Sequence, residues 1–411
     1  MSYDCIVIGG GAAGIMAACT AGNQGKSVLI LEVNETVGKK ILATGNGRCN
    51  FTNDYMGIEC FRTDTDFQKM ESVLNRFTKD DTLSFFEEIG IYGKIRFGTG
   101  YYPLSMQASQ VRDALVLALK KRQISIVYNF KCIKIEKTDF GYRAISTDGK
   151  KYSGKTCIVT TGGYASPKTG SDGALYYYLK KNGIKTADVV PALVPLKCTE
   201  TFFKSLQGVR WEANVSVSHN NNVISNQGEL QFTKEGISGI PVFQISRFIA
   251  KDLLTQKKCT VQIDLYPDFS KEVLKEQFEK RFYDEGWYKT SHEALIGIMN
   301  DKLIDVLLEL SGIDKTESAS SISESQLKSL LRLCKNFSVT VCGTKGFEFA
   351  QTTAGGIDLT AVSDDLESLD HEGLYFAGEI LDVDGICGGY NLQWAWASGY
   401  VAGLAASFER E

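Results

Sequence analysis

The chain has 411 residues, of which 43% are hydrophobic and 23% charged, and its formal net charge at pH 7 is -4. This length accommodates two or three domains with large cores, and a weakly acidic chain has no long-range attraction for nucleic acid or anionic membranes. No apolar run is long enough to span a bilayer, and Met1 is not followed by the basic leader of a signal peptide. We therefore expect a cytoplasmic monomer or homodimer whose partner is a small-molecule substrate, with no nucleic acid and no membrane.

The eleven cysteines are scattered, without a C-x-x-C pair or zinc-like spacing, and the three histidines lie far apart in the sequence. This pattern favours reduced, buried thiols. It argues against a metal site and against a dithiol redox centre.

The first predicted elements form a strand, a glycine-rich turn and a helix. An apolar strand at 5–8 runs into GGGAAG at 9–14 and then into a helix-forming stretch. In this context Gly9 permits the tight turn, Gly11 lets the backbone approach a diphosphate, and Gly14 lets the helix pack closely on the strand. The diphosphate would then lie on free N–H groups at the positive end of the helix.

A second predicted strand, at 27–31, ends on Glu32, eighteen residues after Gly14. A carboxylate at this place accepts hydrogen bonds from an adenosine ribose and repels a 2′-phosphate. The adenine half of FAD or NAD is therefore predicted to bind here.

A glycine-rich, cationic loop follows, with GKK at 38–40 and TGNGRCN at 44–50. A diphosphate carries two negative charges that cations must offset, and Lys39, Lys40 and Arg48 are the candidates. Beside a dinucleotide fold, we favour this interpretation over that of an ordinary solvated loop.

Residues 67–90 and 107–122 show the apolar spacing of amphipathic helices. Between them, the Gly/Pro loop 98–105 contains the adjacent residues Tyr101 and Tyr102. These tyrosines either line a substrate pocket and donate a proton, or simply pack.

The segments 124–135 and 142–145 alternate as in a small hairpin sheet, with Cys132 in the centre of a strand. The apolar strand at 156–163 then ends in Thr-Gly-Gly, which is the second part of a three-part FAD pattern. There the chain returns close to the dinucleotide and needs glycine for clearance.

From about Ala187 the sequence changes to short alternating segments typical of an antiparallel sheet or small barrel. Helical patterns follow at 271–282, 292–310 and 325–336. We interpret the stretch 233–241 as a structural turn that opens a helix, in preference to a substrate loop.

The third part of the FAD pattern is the apolar strand at 374–379, which ends in Gly378-Glu379, where the acid would hold the ribityl chain. The glycine-rich segment 382–393 then leads into a predicted helix at 394–406. Glycines at that helix start would let backbone N–H groups approach a flavin carbonyl.

At these residues the chain resembles a known family. GGGAAG at 9–14, TGNGRCNFTN at 44–53, FTKEGISGIP at 232–241, TAGGI at 353–357 and LYFAGEILDVDGICGGYNLQWAWASG at 374–399 are similar to the bacterial flavoproteins labelled BaiN-type NAD(P)/FAD-dependent oxidoreductases and aminoacetone oxidase-like proteins. The resemblance runs from end to end.

The resemblance implies an α/β fold with a glutathione-reductase-type Rossmann FAD-binding domain, split by an antiparallel β-barrel and a helical cap. The FAD-binding domain would comprise 1–187 and 347–411, the barrel or substrate domain 188–268, and the cap 269–346. From the motifs and the resemblance together, the predicted cofactor-binding residues are Gly9, Gly11, Ala12, Ala13, Gly14, Glu32, Lys39, Lys40, Thr44, Gly45, Asn46, Gly47, Arg48, Cys49, Asn50, Cys132, Thr161, Gly162, Gly163, Gly378, Glu379, Asp384, Gly389, Tyr390, Asn391, Leu392 and Gln393.

The favoured hypothesis is an FAD-dependent reductase of an activated C=C, such as the enone of a 3-oxo-Δ4 steroid or bile acid, by hydride transfer through flavin N5. No second Gly-x-Gly-x-x-Gly occurs. NAD(P)H, with NADH favoured, would therefore be a transient co-substrate without a dinucleotide fold of its own. Candidate proton donors are Tyr101, Tyr102, Tyr390 and Cys387, although for each tyrosine we favour packing over catalysis. A helix N-terminus would lower the pKa of the Cys387 thiol, but we favour a small, buried, inert thiol at this position. The alternatives are a flavin oxidase of a small amine or amino ketone that forms peroxide, and a non-enzymatic flavin-binding redox module.

Overall fold

The computed structural model describes residues 2–408. The chain forms two compact units. Unit 1 contains the residues up to Pro191 and those from Ala350 onward, and unit 2 is Ala192–Phe349. The barrel strands and the helices that follow them lie together in unit 2.

The elements of the first segment are as follows. The strands are β1 (Ser2–Ile8), β2 (Val28–Leu31), β3 (Thr52–Asn53), β4 (Phe61–Arg62), β5 (Gly93–Arg96), β6 (Gly100–Pro103), β7 (Ser125–Val127), β8 (Cys132–Thr138), β9 (Gly141–Ser146), β10 (Lys151–Val159) and β11 (Val190–Ala192). The helices are α1 (Ala12–Asn23), α2 (Phe67–Arg76), α3 (Lys79–Glu88), α4 (Ala108–Lys121) and α5 (Ala174–Lys181).

Unit 2 and the returning segment contribute the remaining elements. Unit 2 holds strands β12 (Leu196–Cys198), β13 (Arg210–His219), β14 (Asn222–Thr233), β15 (Gly236–Gly239), β16 (Cys259–Asp264) and β17 (Phe337–Thr344), and helices α6 (Phe203–Leu206), α7 (Ile240–Leu254), α8 (Lys271–Glu279), α9 (Asp301–Leu310) and α10 (Glu324–Lys335). The chain then returns to unit 1 with β18 (Thr352–Ala354), β19 (Leu374–Phe376), β20 (Asp384–Gly385) and α11 (Tyr390–Ala405).

A parallel sheet forms the centre of unit 1. Strand β1 pairs in parallel with β2 and with β10, β2 pairs with β7, and the second half of β10 pairs with β19. The first half of β10 pairs instead with the antiparallel hairpin of β8 and β9. Strand β2 and the second half of β1, residues 5–8, are apolar and buried because helices cover a parallel sheet on its faces. Their carboxyl ends therefore meet at one edge, where Ile8 is in register with Leu31 and Val159.

Two predicted elements of unit 1 are wrong in detail. The expected single helix at 67–90 is two helices, because Thr78 caps α3 through a capping box with Asp81 and Phe77 adopts an extended backbone. The expected hairpin strand at 124–135 is also divided. Its first part is β7, in the parallel sheet, and Cys132 is the first residue of β8, not the centre of a strand.

Unit 2 contains a closed six-stranded barrel in the order β12-β15-β14-β13-β16-β17. Alternate residues of β13, including Ala213, Val215 and Val217, are buried, which is the period-2 pattern of a strand with one face inward. The prediction of a turn opening a helix at 233–241 is confirmed, since β15 ends at Gly239 and α7 begins at the next residue. The helix expected at 292–310 is shorter, because α9 begins only after its N-cap Asn300.

Candidate functional site

A cavity lies at the carboxyl edge of the parallel sheet in unit 1. Its lining includes the residues that follow β1, β2, β10 and β19, together with the start of α11. In open α/β sheets, ligands bind in this crevice outside the carboxyl ends of the strands. The three parts of the predicted FAD pattern are therefore brought to one place.

The glycine-rich turn shapes one wall of the cavity. Gly9 has a φ of +106°, and a Cβ added at Gly14 would lie 1.9 Å from the carbonyl oxygen of Gly9. By contrast, a Cβ at Gly11 would meet no atom within 4 Å. Helix α1 begins there without a side-chain cap and with no acidic residue in its first turn. Its first N–H groups and its positive end are thus free to hold an anion.

Glu32 is fixed at the edge of the cavity although it is only 5% exposed. One carboxylate oxygen accepts from the backbone N–H of Gly10 at 2.6 Å. The other accepts from the backbone N–H and the side-chain amide of Asn34, at 2.8 and 2.7 Å. These bonds position the carboxylate, whose negative charge at the end of β2 matches the acid that recognises a ribose.

Two of the three predicted cations line the cavity. Lys39 Nζ donates to Asn34 Oδ1 at 3.0 Å, and Lys40 Nζ lies 2.5 Å from Glu379 Oε2. The other oxygen of Glu379 accepts from the backbone N–H of Thr353 at 3.0 Å. Lys40 and Glu379 therefore form an ion pair, which places one positive and one negative group on the same wall of the cavity.

The third cation, Arg48, lies elsewhere. It is exposed, and its guanidinium carbon is 5.0 Å from the centre of the Phe97 ring. Its neighbour Cys49 is buried, and this burial raises the pKa of the Cys49 thiol to about 12. The Cys49 backbone N–H donates to the carbonyl of Thr44, which itself lines the cavity.

Tyr102 packs edge-on against Phe97, with ring centres 5.4 Å apart. Burial raises the pKa of the Tyr102 phenol, while the Arg48 charge and a hydrogen bond with Asn50 oppose that rise. Tyr102 is thus a buried acid that holds its proton at neutral pH.

Tyr390 is at the start of α11, edge-on to Phe61 at 5.6 Å. Burial raises its pKa well above the usual range, and a hydrogen bond with the Cys60 thiol raises it further. Cys387 does not have the activated thiol that its place before a helix suggested. Burial raises the pKa of Cys387 to about 12, so the expectation of a lowered pKa is wrong.

The remaining predicted residues divide between the cavity and its surroundings. Those that line it are Gly9, Gly11, Ala12, Ala13, Glu32, Lys39, Lys40, Thr44, Cys132, Thr161, Gly162, Gly378, Glu379, Asn391 and Leu392. Those outside its lining are Gly14, Gly45, Asn46, Gly47, Arg48, Cys49, Asn50, Tyr102, Gly163, Asp384, Cys387, Gly389, Tyr390 and Gln393. Gln393, for example, is buried and accepts hydrogen bonds from the hydroxyls of Thr52 and Thr82.

Several lining residues were not predicted. Asn34, Phe130 and the loop 169–175 all border the cavity. Within that loop, Ser171 Oγ donates to the carbonyl of Thr161 at 3.0 Å, and Asp172 is 2.6 Å from Lys131. The serine, glycine and aspartate of the loop are a turn signal, but that signal does not say which cavity the turn borders.

The cavity fits FAD. Glu32, the open space at Gly11, the uncapped start of α1 and the pair of Lys39 and Lys40 supply a ribose acceptor, clearance and positive charge in sequence along one wall. Of the described residues, no group of three or more His, Cys, Asp or Glu side chains is placed to hold a metal ion. None of the helices within 2–408 has the length and apolar character needed to cross a membrane.

Comparisons with known proteins agree with this architecture. The family described as HI0933-like protein Rossmann domain matches residues 3–405. A 3-dehydro-bile acid delta(4,6)-reductase of Clostridium scindens is 43% identical over 406 residues, which cover 98% of each chain. A ribosomal RNA dihydrouridine synthase of Haemophilus influenzae is 31% identical over 410 residues, again covering 98% of each chain.

Among solved structures, the 3-ketosteroid Δ1-dehydrogenase of Sterolibacterium denitrificans has a TM-score of 0.52 and 13% identity, with 99% of both chains covered. At this identity, the likeness shows the fold alone. The predicted fold class, a Rossmann-type FAD-binding domain with an inserted antiparallel barrel, is confirmed.

Proposed function

Because this chain belongs to the HI0933-like family of Rossmann-fold flavoproteins, we propose that it is an FAD-dependent reductase of a C=C bond conjugated to a carbonyl group. NADH or NADPH would be the electron donor, with NADH favoured. The observation that carries the proposal is the end-to-end similarity, at 43% identity, to a relative named for the reduction of a bile acid. The cavity supports it, since FAD fits the residues that line that cavity.

The names of the two relatives share one chemistry. A 3-dehydro bile acid with double bonds at positions 4 and 6 is a conjugated ketone. Dihydrouridine is uridine whose C5=C6 bond, conjugated to a carbonyl, has been reduced. In each case the conjugated carbonyl lets a hydride add to the more remote carbon of the C=C bond, and a proton completes the reduction at the other carbon of that bond. The proposal therefore specifies the reacting group, an enone, before it specifies the molecule that carries it.

The residues of the cavity would hold the cofactor. Gly11 and the start of α1 would take the diphosphate, Glu32 the adenosine ribose, and Glu379 the ribityl chain. When bound, FAD supplies hydride exchange through N5 of its ring. The protein must add the proton and orient the substrate.

We assign the proton donor to Tyr102 in preference to Tyr390 and Cys387. The hydroxyl of Tyr390 is already engaged by the Cys60 thiol. The phenol of Tyr102 is bonded instead to the Asn50 side chain, which lowers its pKa and so favours release of the proton, whereas the Cys60 bond raises the pKa of Tyr390. Because burial holds the pKa of Tyr102 above its usual value, it can donate a proton to an enolate and be reprotonated at neutral pH.

An anaerobic double-mixing experiment tests the proposal. NADH or NADPH is mixed with the FAD-loaded protein, and bleaching of the flavin band near ~450 nm is followed. A 3-oxo-Δ4 steroid is then added. We expect bleaching within seconds, recovery of the band on adding the steroid, and a product that has gained two hydrogens. If neither nucleotide bleaches the flavin over many minutes, the reductase proposal fails. Bleaching by a small amine, with peroxide formed in air, would then establish the oxidase.

The 31% identity to a ribosomal RNA dihydrouridine synthase favours uridine in RNA as a second candidate substrate. The same experiment separates the two, because RNA transcribed without modified nucleosides can replace the steroid in the second mixing step. Recovery of the flavin band with RNA but not with steroids would assign the reaction to RNA. The acidic net charge of -4 favours the small molecule.

A further inference from the structure

Strand β5 of the β5–β6 hairpin carries two exposed cations, Lys94 and Arg96. We propose that Arg48, which lies over the ring of Phe97, together with Lys94 and Arg96 of β5, binds the diphosphate of the nicotinamide dinucleotide that reduces the flavin. We call these four residues the cationic surface. The inference rests on the proposed function, in which NADH or NADPH is the donor.

The strand register places the charges on one face. Lys94 is directly opposite Tyr102, and Arg96 is opposite Gly100, so Lys94, Arg96 and Tyr102 project to the same side of the hairpin. The other side, represented by Gly93, packs towards Phe51. Since Tyr102 contacts Phe97, and Arg48 lies over Phe97, all three cations belong to the face that holds the Phe97 ring.

These cations have no carboxylate partner within residues 2–408. No ion pair there involves Arg48, Lys94 or Arg96, and all three are exposed. Lys40, by contrast, is paired with Glu379. In a chain whose net charge is -4, three adjacent unpaired cations form a local positive field that attracts an anion. Two of the three are arginines, whose planar guanidinium can contact phosphate through two hydrogen bonds.

Phe97 adds a second component of recognition. Its side chain is 69% exposed, and its backbone has a φ of +52°, which is uncommon for a bulky residue. Both features cost free energy in the chain alone. A flat heteroaromatic ring stacking on Phe97 would cover the exposed side chain, and nicotinamide and adenine are both such rings.

The cationic surface is connected to the cofactor cavity. The Asn50 side chain bonds with Tyr102, and a Cβ added at Gly389 would lie 2.9 Å from Asn50 Oδ1. Gly389 caps α11, whose residues Asn391 and Leu392 line the cavity. A dinucleotide held at this surface by its diphosphate would therefore have one end directed at this part of the cavity. This provides a place for a donor that has no dinucleotide fold of its own.

ADP-ribose is the probe that tests the surface, because it carries the diphosphate but cannot transfer a hydride. Its affinity for the FAD-loaded protein is measured by calorimetry for the wild type, Lys94→Gln, Arg96→Gln and the double variant. We expect each single change to weaken binding about tenfold, and the wild-type affinity to fall as salt rises. Lys258→Gln, which removes an exposed lysine of unit 2, is the matched control and should bind ADP-ribose as the wild type does. The flavin absorbance of each variant checks that the fold and cofactor are retained.

A second readout compares NADH with a neutral donor, 1-benzyl-1,4-dihydronicotinamide. In Lys94→Gln and Arg96→Gln, the efficiency of NADH relative to the neutral donor should fall about tenfold. Equal ADP-ribose affinity in wild type and double variant would overturn the inference, as would failure of the wild type to bind ADP-ribose. If a short oligoribonucleotide alone lost affinity in the variants, the surface would serve RNA and the dinucleotide inference would also be overturned. If the variants lost ADP-ribose binding but NADH did not reduce the flavin of the wild type, the cationic surface would be established as the dinucleotide site. Only the proposed reductase activity would then be refuted.

Discussion

The cavity and the cationic surface both offer positive charge to a phosphate, but they do so by different means. In the cavity, backbone N–H groups at the start of α1 are combined with Lys39 and with Lys40, whose charge is already paired with Glu379. At the cationic surface, Arg48 and its neighbours are exposed side chains without carboxylate partners in the described part of the chain.

The difference teaches how one fold can hold one nucleotide and exchange another. Backbone donors buried in a crevice lose little entropy on binding, so they suit a cofactor that stays bound. Exposed charges are screened by salt and hold a ligand only briefly, while they accelerate its arrival. The predictions below separate these two modes, from the largest effect to the smallest.

The largest effect is expected at Gly14. In Gly14→Ala the new Cβ would lie 1.9 Å from Gly9 O and 2.6 Å from Thr160 Oγ1, so the turn must move. We expect a loss of about 3 kcal/mol in the free energy of unfolding, or failure to fold. The free energy of unfolding is measured by urea titration, with circular dichroism as the signal. Gly25→Ala, where the Cβ would meet open space but φ is +74°, is a control for strain alone. Similar losses in the two variants would contradict the packing argument.

Gly11→Leu should separate folding from cofactor binding. Because a Cβ at Gly11 meets no atom within 4 Å, the folded chain accommodates it, and the leucine then occupies the cavity. We expect FAD affinity to fall about 100-fold, equivalent to about 2.7 kcal/mol, with the unfolding of the apo-protein little changed. Quenching of FAD fluorescence on titration measures the affinity. Unchanged affinity would mean that the diphosphate does not lie against Gly11.

Tyr102 lies between the two regions and should affect only one half-reaction. In Tyr102→Phe, oxidation of the flavin by the enone should slow about 100-fold, because the proton donor is lost. Reduction by NADH should change much less. Tyr390→Phe is the comparison, and we expect it to slow the enone step less than threefold. Stopped-flow resolves both steps. The reverse order of effects would transfer the assignment to Tyr390.

Glu32→Gln should weaken FAD about tenfold, since the neutral amide makes weaker bonds than a carboxylate and can accept through only one atom. Glu32 now accepts from Gly10 and from Asn34. Two affinities are measured: that of the apo-protein for FAD, and that of the FAD-loaded protein for ADP-ribose. Only the affinity for FAD should change. If the affinity for ADP-ribose fell equally, the cavity and the cationic surface would be one site.

The smallest effect concerns the thiols and should leave activity unchanged. Cys387 is half-buried, and desolvation raises the pKa of its thiol to about 12, whereas Cys342 is exposed. At pH 8 iodoacetamide should label Cys342 in the native protein, and Cys387 only after unfolding, as read by peptide mass spectrometry. Because the pKa of Cys387 is higher in the folded than in the unfolded chain, its contribution to the free energy of unfolding is complete below pH 9. That contribution is lost as the pH rises from 9 towards 12. Rapid native labelling of Cys387 at pH 8 would contradict the raised pKa of its thiol.

Much of the cavity could be predicted because its chemistry depends on backbone geometry. The positions Gly9, Gly11 and Gly14 need glycine for a turn, for clearance and for packing, and Glu32 follows at a spacing set by the fold. These requirements are local, so they leave a pattern in the sequence. The same holds for the capping box Thr78-x-x-Asp81, a signal that would have divided the predicted helix at 67–90.

The remainder depends on contacts between distant segments. Ser171 is held at the cavity by its hydrogen bond to the carbonyl of Thr161, and Asn34 by its hydrogen bond to Glu32. No sequence motif indicates either contact. For Cys387, a helix start suggested a lowered pKa, but desolvation determines the result. Arg48 illustrates the same point: its contact with the cofactor stays a prediction, and no sequence pattern indicates its position over Phe97.

The most direct test of the central claim is the FAD content of the purified chain. The protein is denatured, and the released flavin is identified and quantified by chromatography, with apo-protein titrated with FAD in parallel. We predict close to one FAD per chain, bound noncovalently, and a single class of sites on titration. A chain that neither carries FAD nor binds it on titration would contradict the account of the cavity and, with it, every step proposed from that cavity.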